Sequence, residues 1–226
     1  MKILVASLIR DRAWILSEYL NALLQMGTNE IEYYFLVNDS SDASIDILHN
    51  FKQNNRFMRD RITIEEVNIG TPKDARNCIR VEKVYLALAK LRNKIIDFTI
   101  GTDAEYLFSI DSDIIVKKDC LTKLLEVDSD VVSALIYNDY GRGNIGNVMA
   151  GLDNPKHIDF KEQQDIFECD ITGACVLIKR EVLMNKKCRY GYDRLGEDIP
   201  FCRAVKQEGF DIYSRKGLAE HKMRSM

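Results

Sequence analysis

The chain of 226 residues carries no surplus of basic side chains, and its formal charge is −3. A nucleic-acid binder normally presents a basic domain or a basic face, so that class is set aside. No apolar run approaches the ~20 residues needed to cross a bilayer. The six cysteines, Cys78, Cys120, Cys169, Cys175, Cys188 and Cys202, include no Cys-x-x-Cys pair. That spacing supports neither a zinc site nor a disulfide framework. Free thiols without an export signal point to the cytosol, with peripheral contact at a membrane surface left open. The opening Met1-Lys2-Ile3-Leu4-Val5-Ala6-Ser7-Leu8-Ile9 imitates a signal peptide, but Arg10-Asp11-Arg12 follows at once. A first buried strand explains that run better. Internal repeats, linkers and low-complexity segments are also absent, so a single domain over residues 1–226 is expected.

What is present is an ordinary globular composition, 46% hydrophobic and 30% charged. A chain of this size buries roughly 70% of its unfolded surface without needing staples. Strand and helix patterns alternate through the first half. Lys2 to Ile9 reads as a strand, and Trp14, Ile15, Tyr19, Leu20, Leu23 and Leu24 recur at helical spacing. Ile31 to Val37 and Ile62 to Val67 are strand-like, with a helix between them marked by Ile45, Ile47, Leu48 and Phe51. Pro72 suits the first turn of a long helix carrying Ala75, Val81, Val84, Leu88 and Leu91. Asp130 to Tyr137, Cys175 to Ile178 and Phe210 to Tyr213 are later strands, and Glu197 to Gln207 a late helix. This alternation predicts an α/β fold, a mostly parallel central sheet flanked by helices on both faces.

The most informative stretch is Tyr106-Leu107-Phe108-Ser109-Ile110-Asp111-Ser112-Asp113-Ile114. An apolar strand ends in two carboxylates one residue apart. Two acids beside an apolar core need a positive partner, because an unpaired buried charge is very costly. Mg2+ is typically held by one or two carboxylates plus phosphate oxygens, so a divalent ion carrying a diphosphate fits. The plainer alternative is an acidic turn closed by water and backbone N–H groups.

In open parallel sheets, ligands bind beyond the carboxyl ends of the strands. Arg10-Asp11, Asn38-Asp39, Asn68 and Asp111 to Asp113 all stand there. Ser7, Leu8 and Arg10 are accordingly placed at a bound nucleotide. Gly141-Arg142-Gly143-Asn144-Ile145-Gly146 spells G-x-G-x-x-G, but Asn147, Gly151, Asn154 and Pro155 follow, which is poor helix material. A dinucleotide fingerprint requires a helix there, so Gly141 to Pro155 is read as a mobile loop near the cleft.

The order of these motifs resembles the glycosyltransferases with the GT-A fold, especially the large family-2 type. Leu36-Val37-Asn38-Asp39-Ser40-Ser41-Asp42 together with Asp111-Ser112-Asp113-Ile114 is also similar to fungal Anp1-type mannosyltransferases. The resemblance covers most of residues 1–221. It implies that residues 1–116 hold the nucleotide and that 117–226 hold the acceptor, with a tail that closes on the metal. It implies base recognition by Asp39 and a nucleotide contact from Arg76 in Ala75-Arg76-Asn77. It implies a general base at Asp198 in Gly196-Glu197-Asp198, with Glu197 orienting it or meeting the acceptor. His221 would complete a metal site with Asp113, the direct ligand, and Asp111, which binds the ribose or reaches the metal through water. Simpler roles exist for each: Asp39 and Asp198 as helix caps, Arg76 as a surface arginine, His221 as a surface histidine. His49 and His157 lack acidic neighbours at useful spacing and are read as structural or solvated. The chain departs from the family-2 pattern where Asp-Asp-Gly-Ser is replaced by Asn38-Asp39-Ser40-Ser41. It also lacks Gln-x-x-Arg-Trp, which speaks against a processive synthase.

The function so implied is transfer of a sugar from a UDP- or GDP-sugar to an acceptor hydroxyl, with Mn2+ or Mg2+. The expected partners are a nucleoside diphosphate sugar, a glycan or small-molecule acceptor, and a second copy of the chain in a homodimer. Two alternatives stay in view. A haloacid-dehalogenase-type phosphatase also places Asp-x-Asp after an apolar strand, though usually near the amino terminus and followed by Thr or Val, where this chain has Ile115. A non-catalytic sugar-nucleotide-binding module would keep the fold without the chemistry.

Overall fold

Residues 3–9 are apolar on both faces, and a strand of that kind belongs inside a sheet covered on both sides. In the computed structural model, which describes residues 1–27, 30–72, 82–138 and 145–223, that is its place. Strand β1 (Ile3–Ile9) is followed by β2 (Ile31–Asn38), β3 (Ile62–Val67), β4 (Tyr106–Ile110), β5 (Ile114–Val116) and β6 (Val131–Ala134). Short strands β7 (Tyr137–Asn138), β8 (Ile145–Gly146), β9 (Met149–Ala150) and β10 (Lys156–His157) come next. The series ends with β11 (Ile166–Glu168), β12 (Cys175–Lys179), β13 (Ile212–Arg215) and β14 (Ala219–His221). The helices are α1 (Leu16–Leu24), α2 (Ser44–Asn54), α3 (Glu82–Ile100), α4 (Cys120–Leu125), α5 (Arg180–Met184) and α6 (Asp198–Gln207).

Eight strands form one sheet in the order β11-β13-β6-β12-β4-β1-β2-β3. The pairs among β4, β1, β2 and β3 are parallel, as is β6 with β13, whereas β12 and β11 run against their neighbours. Period-two alternation divides β1 between two cores. Ile3, Val5 and Ile9 pack with α1, α2 and α4, while Leu4 and Ala6 pack with α3, α5 and α6. The result is a sheet with helices on both faces, as the alternating pattern predicts.

The topology explains where chemistry gathers. The carboxyl ends of β4, β1, β2, β3, β6 and β13 share one edge. Helices α3 and α6 precede strands that run toward that edge, so both begin there. Strand β14 leaves the end of β13 on the same side and pairs antiparallel with β5.

Several expectations are corrected. Asp130 to Tyr137 is not one strand: β6 ends at Ala134 and β7 begins at Tyr137, because Asn147 Oδ1 takes the Ile136 N–H that a ladder would use. Trp14 precedes α1 and is half-exposed rather than on its inner face. The described part of the loop 141–155 contains β8 and β9, not irregular chain alone. Ala75, Arg76, Asn77, Val81, Cys78 and residues 141–144 lie outside the described residues.

Candidate functional site

The acid pair stands at a tight turn. Asp111 donates its N–H to Ala174 O at 2.7 Å, and its carbonyl accepts from Ile114 N at 3.0 Å, turning β4 into β5. Lys222 N then donates to Asp113 O at 2.9 Å, continuing the β14 pairing in which His221 faces Ile114. His221 is therefore held in a strand, with Nε2 3.8 Å from Asp113 Oδ2. Arg12, beyond the end of β1, donates from Nη2 to the same carboxylate oxygen at 3.0 Å. Asp113 is 17% exposed. Burial pushes its carboxyl up, but the His221 imidazole and the Arg12 guanidinium outweigh that and hold it below the ordinary carboxylate range.

The second focus is Arg92, which the sequence reading missed. It lies on the core-facing stripe of α3 with Leu91, Ile95 and Ile96, and its side chain is 9% exposed. A charge on an apolar stripe is itself a cue, since it demands carboxylates inside. Nε donates to Glu197 Oε1 at 3.0 Å and Nη2 to Asp111 Oδ1 at 3.0 Å. Asp198 Oδ1 lies 3.8 Å from Nε. Burial favours a neutral arginine, but the surrounding Asp111, Asp198 and Glu197 charges push its pKa well above the usual value. Glu197 spends its carboxylate on Arg92 and is 3% exposed, at the wall of the cleft beside Asp198. Asp198, the first residue of α6, is 26% exposed and faces the cleft. Gly173 makes room for it: a Cβ there would lie 2.5 Å from Asp198 Oδ2.

The other expected residues are placed unevenly. Leu8 and Arg10 line the cleft. Arg10 braces the chain after β3, donating to Thr71 O and Pro72 O at 2.8 and 2.9 Å. Ser7, expected at the nucleotide, is buried on the α1 side and hydrogen-bonded to the Tyr19 hydroxyl, because strand alternation turns it away from Leu8. Asp39, expected at the base, has left-handed backbone (φ 47°) and accepts the N–H groups of Gly70 and Thr71 at 3.1 and 2.9 Å. It fastens the loop after β3 and is not among the residues that line the cleft. Arg76 lies outside the described residues. His157, read as structural or solvated, stands on the cleft wall with Nδ1 3.1 Å from Gly146 O. Asn147 binds three segments together through Ala134 O, Gly173 O and Ile136 N.

These groups surround one cleft of about 650 Å3. Its volume is in the range of small-molecule and cofactor sites. Val84, Leu88, Met149, Ile171 and Ile199 give it apolar wall, and acids and arginines meet at its floor. A carboxylate oxygen beside an imidazole nitrogen, as in Asp113 and His221, is a donor set suited to a manganese-class cation with phosphate oxygens completing the shell. Asp111 is instead turned to Arg92. Among the described residues no three His, Cys, Asp or Glu side chains stand close enough to enclose a metal by themselves.

The Anp1 family profile matches residues 1–168. This chain belongs to the Anp1 family. No curated protein matches it. Among solved structures, S. aureus TarS residues 1–349, in complex with UDP-GlcNAc, aligns over 100% of this Anp1-family chain at 16% identity and a TM-score of 0.64. GalNAc-T7 with UDP, GalNAc and Mn2+ aligns over 99% at 11% identity and a TM-score of 0.69. The mannosyltransferase PcManGT from Pyrobaculum calidifontis, with GDP-Man and Mn2+, aligns over 99% at 12% identity and a TM-score of 0.62. At such identities the likeness is one of fold, the GT-A fold of glycosyltransferases. The chain spans 60%, 44% and 57% of those three chains. No helix among the described residues is long and apolar enough to cross a membrane.

Proposed function

We propose that this Anp1-family chain is a metal-dependent glycosyltransferase that moves a sugar from a UDP- or GDP-sugar to an acceptor hydroxyl. One observation carries the reading: a single cleft at the carboxyl edge of the sheet is bordered by Asp111, Asp113, Asp198 and His221, brought together from the middle of the chain and its last thirty residues. The family and the fold support it. So do the UDP-GlcNAc, GDP-Man and Mn2+ bound by proteins of like fold. Residues 1–116 hold the nucleotide, and residues 117–226 supply the acceptor side and the strand bearing His221. The five described cysteines are free thiols, which favours a cytosolic setting.

Asp113 and His221 would hold the cation, Mn2+ or Mg2+, and Asp111 would meet the ribose or reach the metal through water. A bound cation neutralises charge gathering on the leaving diphosphate. In the transfer, the bond between the anomeric carbon and the phosphate oxygen breaks and its electron pair leaves with the diphosphate. The acceptor oxygen forms the new bond to that carbon, and Asp198 takes the acceptor's proton. Asp198 suits this role because it faces the cleft with the Arg92 guanidinium 3.8 Å away. The phosphatase alternative makes Asp111 a nucleophile, but here Asp111 is ion-paired to Arg92.

The test is a panel of UDP-, GDP-, CMP- and dTDP-sugars, each with and without Mn2+, read by thermal shift and then by transfer. Stabilisation by one nucleotide diphosphate sugar with Mn2+, followed by turnover of it, is the expected outcome. Release of phosphate from simple phosphoesters would instead favour the phosphatase, and binding without any turnover the non-catalytic module.

A further inference from the structure

A buried arginine is an expensive way to fill space. Exchanging buried ion groups for apolar residues of similar volume is often neutral or stabilising, so a lone guanidinium on a core-facing stripe calls for a reason beyond packing. Arg92 is fixed on every side. Its Cζ lies 5.6 Å above the centroid of the Tyr190 ring, which stacks on Phe201 of α6 at 4.5 Å. The adjacent Asn93 exchanges two hydrogen bonds with the Tyr190 backbone, each 2.9 Å. The guanidinium thus sits between the end of β4, through Asp111, and the start of α6, through Glu197 and Asp198.

We propose that Arg92 is the positioning residue of this site, holding the Glu197-Asp198 start of α6 against the Asp-x-Asp turn so that the Asp198 carboxylate faces the acceptor. The proposal rests on the glycosyltransferase reading, with Asp198 as the proton acceptor. The role assigned to Arg92 is exerted through Glu197 and Asp198. Its planar fork binds Glu197 through one nitrogen and Asp111 through another, and its charge lies 3.8 Å from Asp198 Oδ1. Backbone bonds to Ala174 and Ile114 fix the Asp111 main chain, so losing Arg92 frees the Asp111 carboxylate without moving the turn, while the Glu197-Asp198 start of α6 loses its guanidinium anchor. A shift of about 1 Å in a catalytic group costs on the order of a hundredfold in rate.

The experiment is steady-state transfer by Arg92→Met, Arg92→Lys, Asp198→Asn and the double variant Arg92→Met/Asp198→Asn. Arg92→Met is expected to lower kcat about a hundredfold, with a smaller rise in donor KM through the loosened Asp111 carboxylate. Arg92→Lys keeps the charge without the fork, and should recover part of the lost kcat. In the Asp198→Asn background Arg92→Met should cost little more, because its action passes through the missing base. A wild-type kcat in Arg92→Met, or losses that multiply in the double variant, overturns the proposal. If Arg92→Met does not fold, Arg92→Lys decides, and a wild-type kcat there overturns it. A wild-type protein that transfers nothing from any donor removes the glycosyltransferase reading and this proposal with it. An active wild type with an equally active Arg92 variant removes the proposal alone.

Discussion

His221 Nε2 lies 3.8 Å from Asp113 Oδ2 because the last described strand pairs with the short strand that follows the acid pair. His221 is thereby built into a two-stranded ribbon beside Asp113. His221→Ala and Asp113→Ala should both weaken Mn2+ binding, measured by electron paramagnetic resonance of the free ion. The aspartate variant should lose more, since it removes the anionic donor.

Asp198→Asn should lower transfer by about 10²–10⁴-fold and leave nucleotide affinity within about twofold, because the role assigned to Asp198 is proton acceptance. NMR of the product should show the anomeric configuration inverted, as direct attack on the anomeric carbon requires. Retention would contradict the role given to Asp198.

Gly173→Ala makes a sharper test of the same carboxylate. Its added Cβ would fall 2.5 Å from Asp198 Oδ2, so the carboxylate must rotate away. A loss of about tenfold or more in kcat is expected with nucleotide affinity unchanged, read from steady-state kinetics and calorimetry.

Asn147→Ala removes hydrogen bonds to Ala134, Ile136 and Gly173 at once. Chemical denaturation should show a loss of about 2–3 kcal/mol, since backbone partners are left unsatisfied.

Asp39 gives a pH signature. Burial pushes its carboxyl up, but the hydrogen bonds from Thr71 and Gly70 outweigh that and hold it below the ordinary range. A depressed carboxyl contributes stability that is present above its unfolded pKa, about 4, and is lost as pH falls through the lower folded value. The stability gap between wild type and Asp39→Asn should therefore be open at neutral pH and close in acid below about 4. Denaturation midpoints measured from pH 7 downward check this.

Much of this arrangement was legible in the sequence, and the reasons are local. Strands such as Ile62–Val67 and Tyr106–Ile110 announce themselves by composition, and an acid pair after an apolar run is visible without a fold. Alternating strand and helix then forces the strand ends onto one edge. The illegible part depends on partners far apart in the chain. The place of Arg92 on the apolar stripe of its helix signals a buried partner, but not that the partners are Glu197 and Asp111. The strand Ala219–His221 has too few residues to show a pattern before it finds Ile114 to Val116. Ser7 failed for a simpler reason: proximity to a strand end does not decide which face a side chain takes, and period-two alternation gave that face to Tyr19.

Asp113 is assigned to hold a cation that in turn holds a diphosphate, and calorimetry reads that coupling. UDP and GDP are titrated into wild type and Asp113→Ala, each with Mn2+ or with chelator. Tight binding of one nucleotide to wild type with Mn2+ is expected, with a loss of at least about tenfold on adding chelator or replacing Asp113. Equal nucleotide affinity in all four conditions would contradict it.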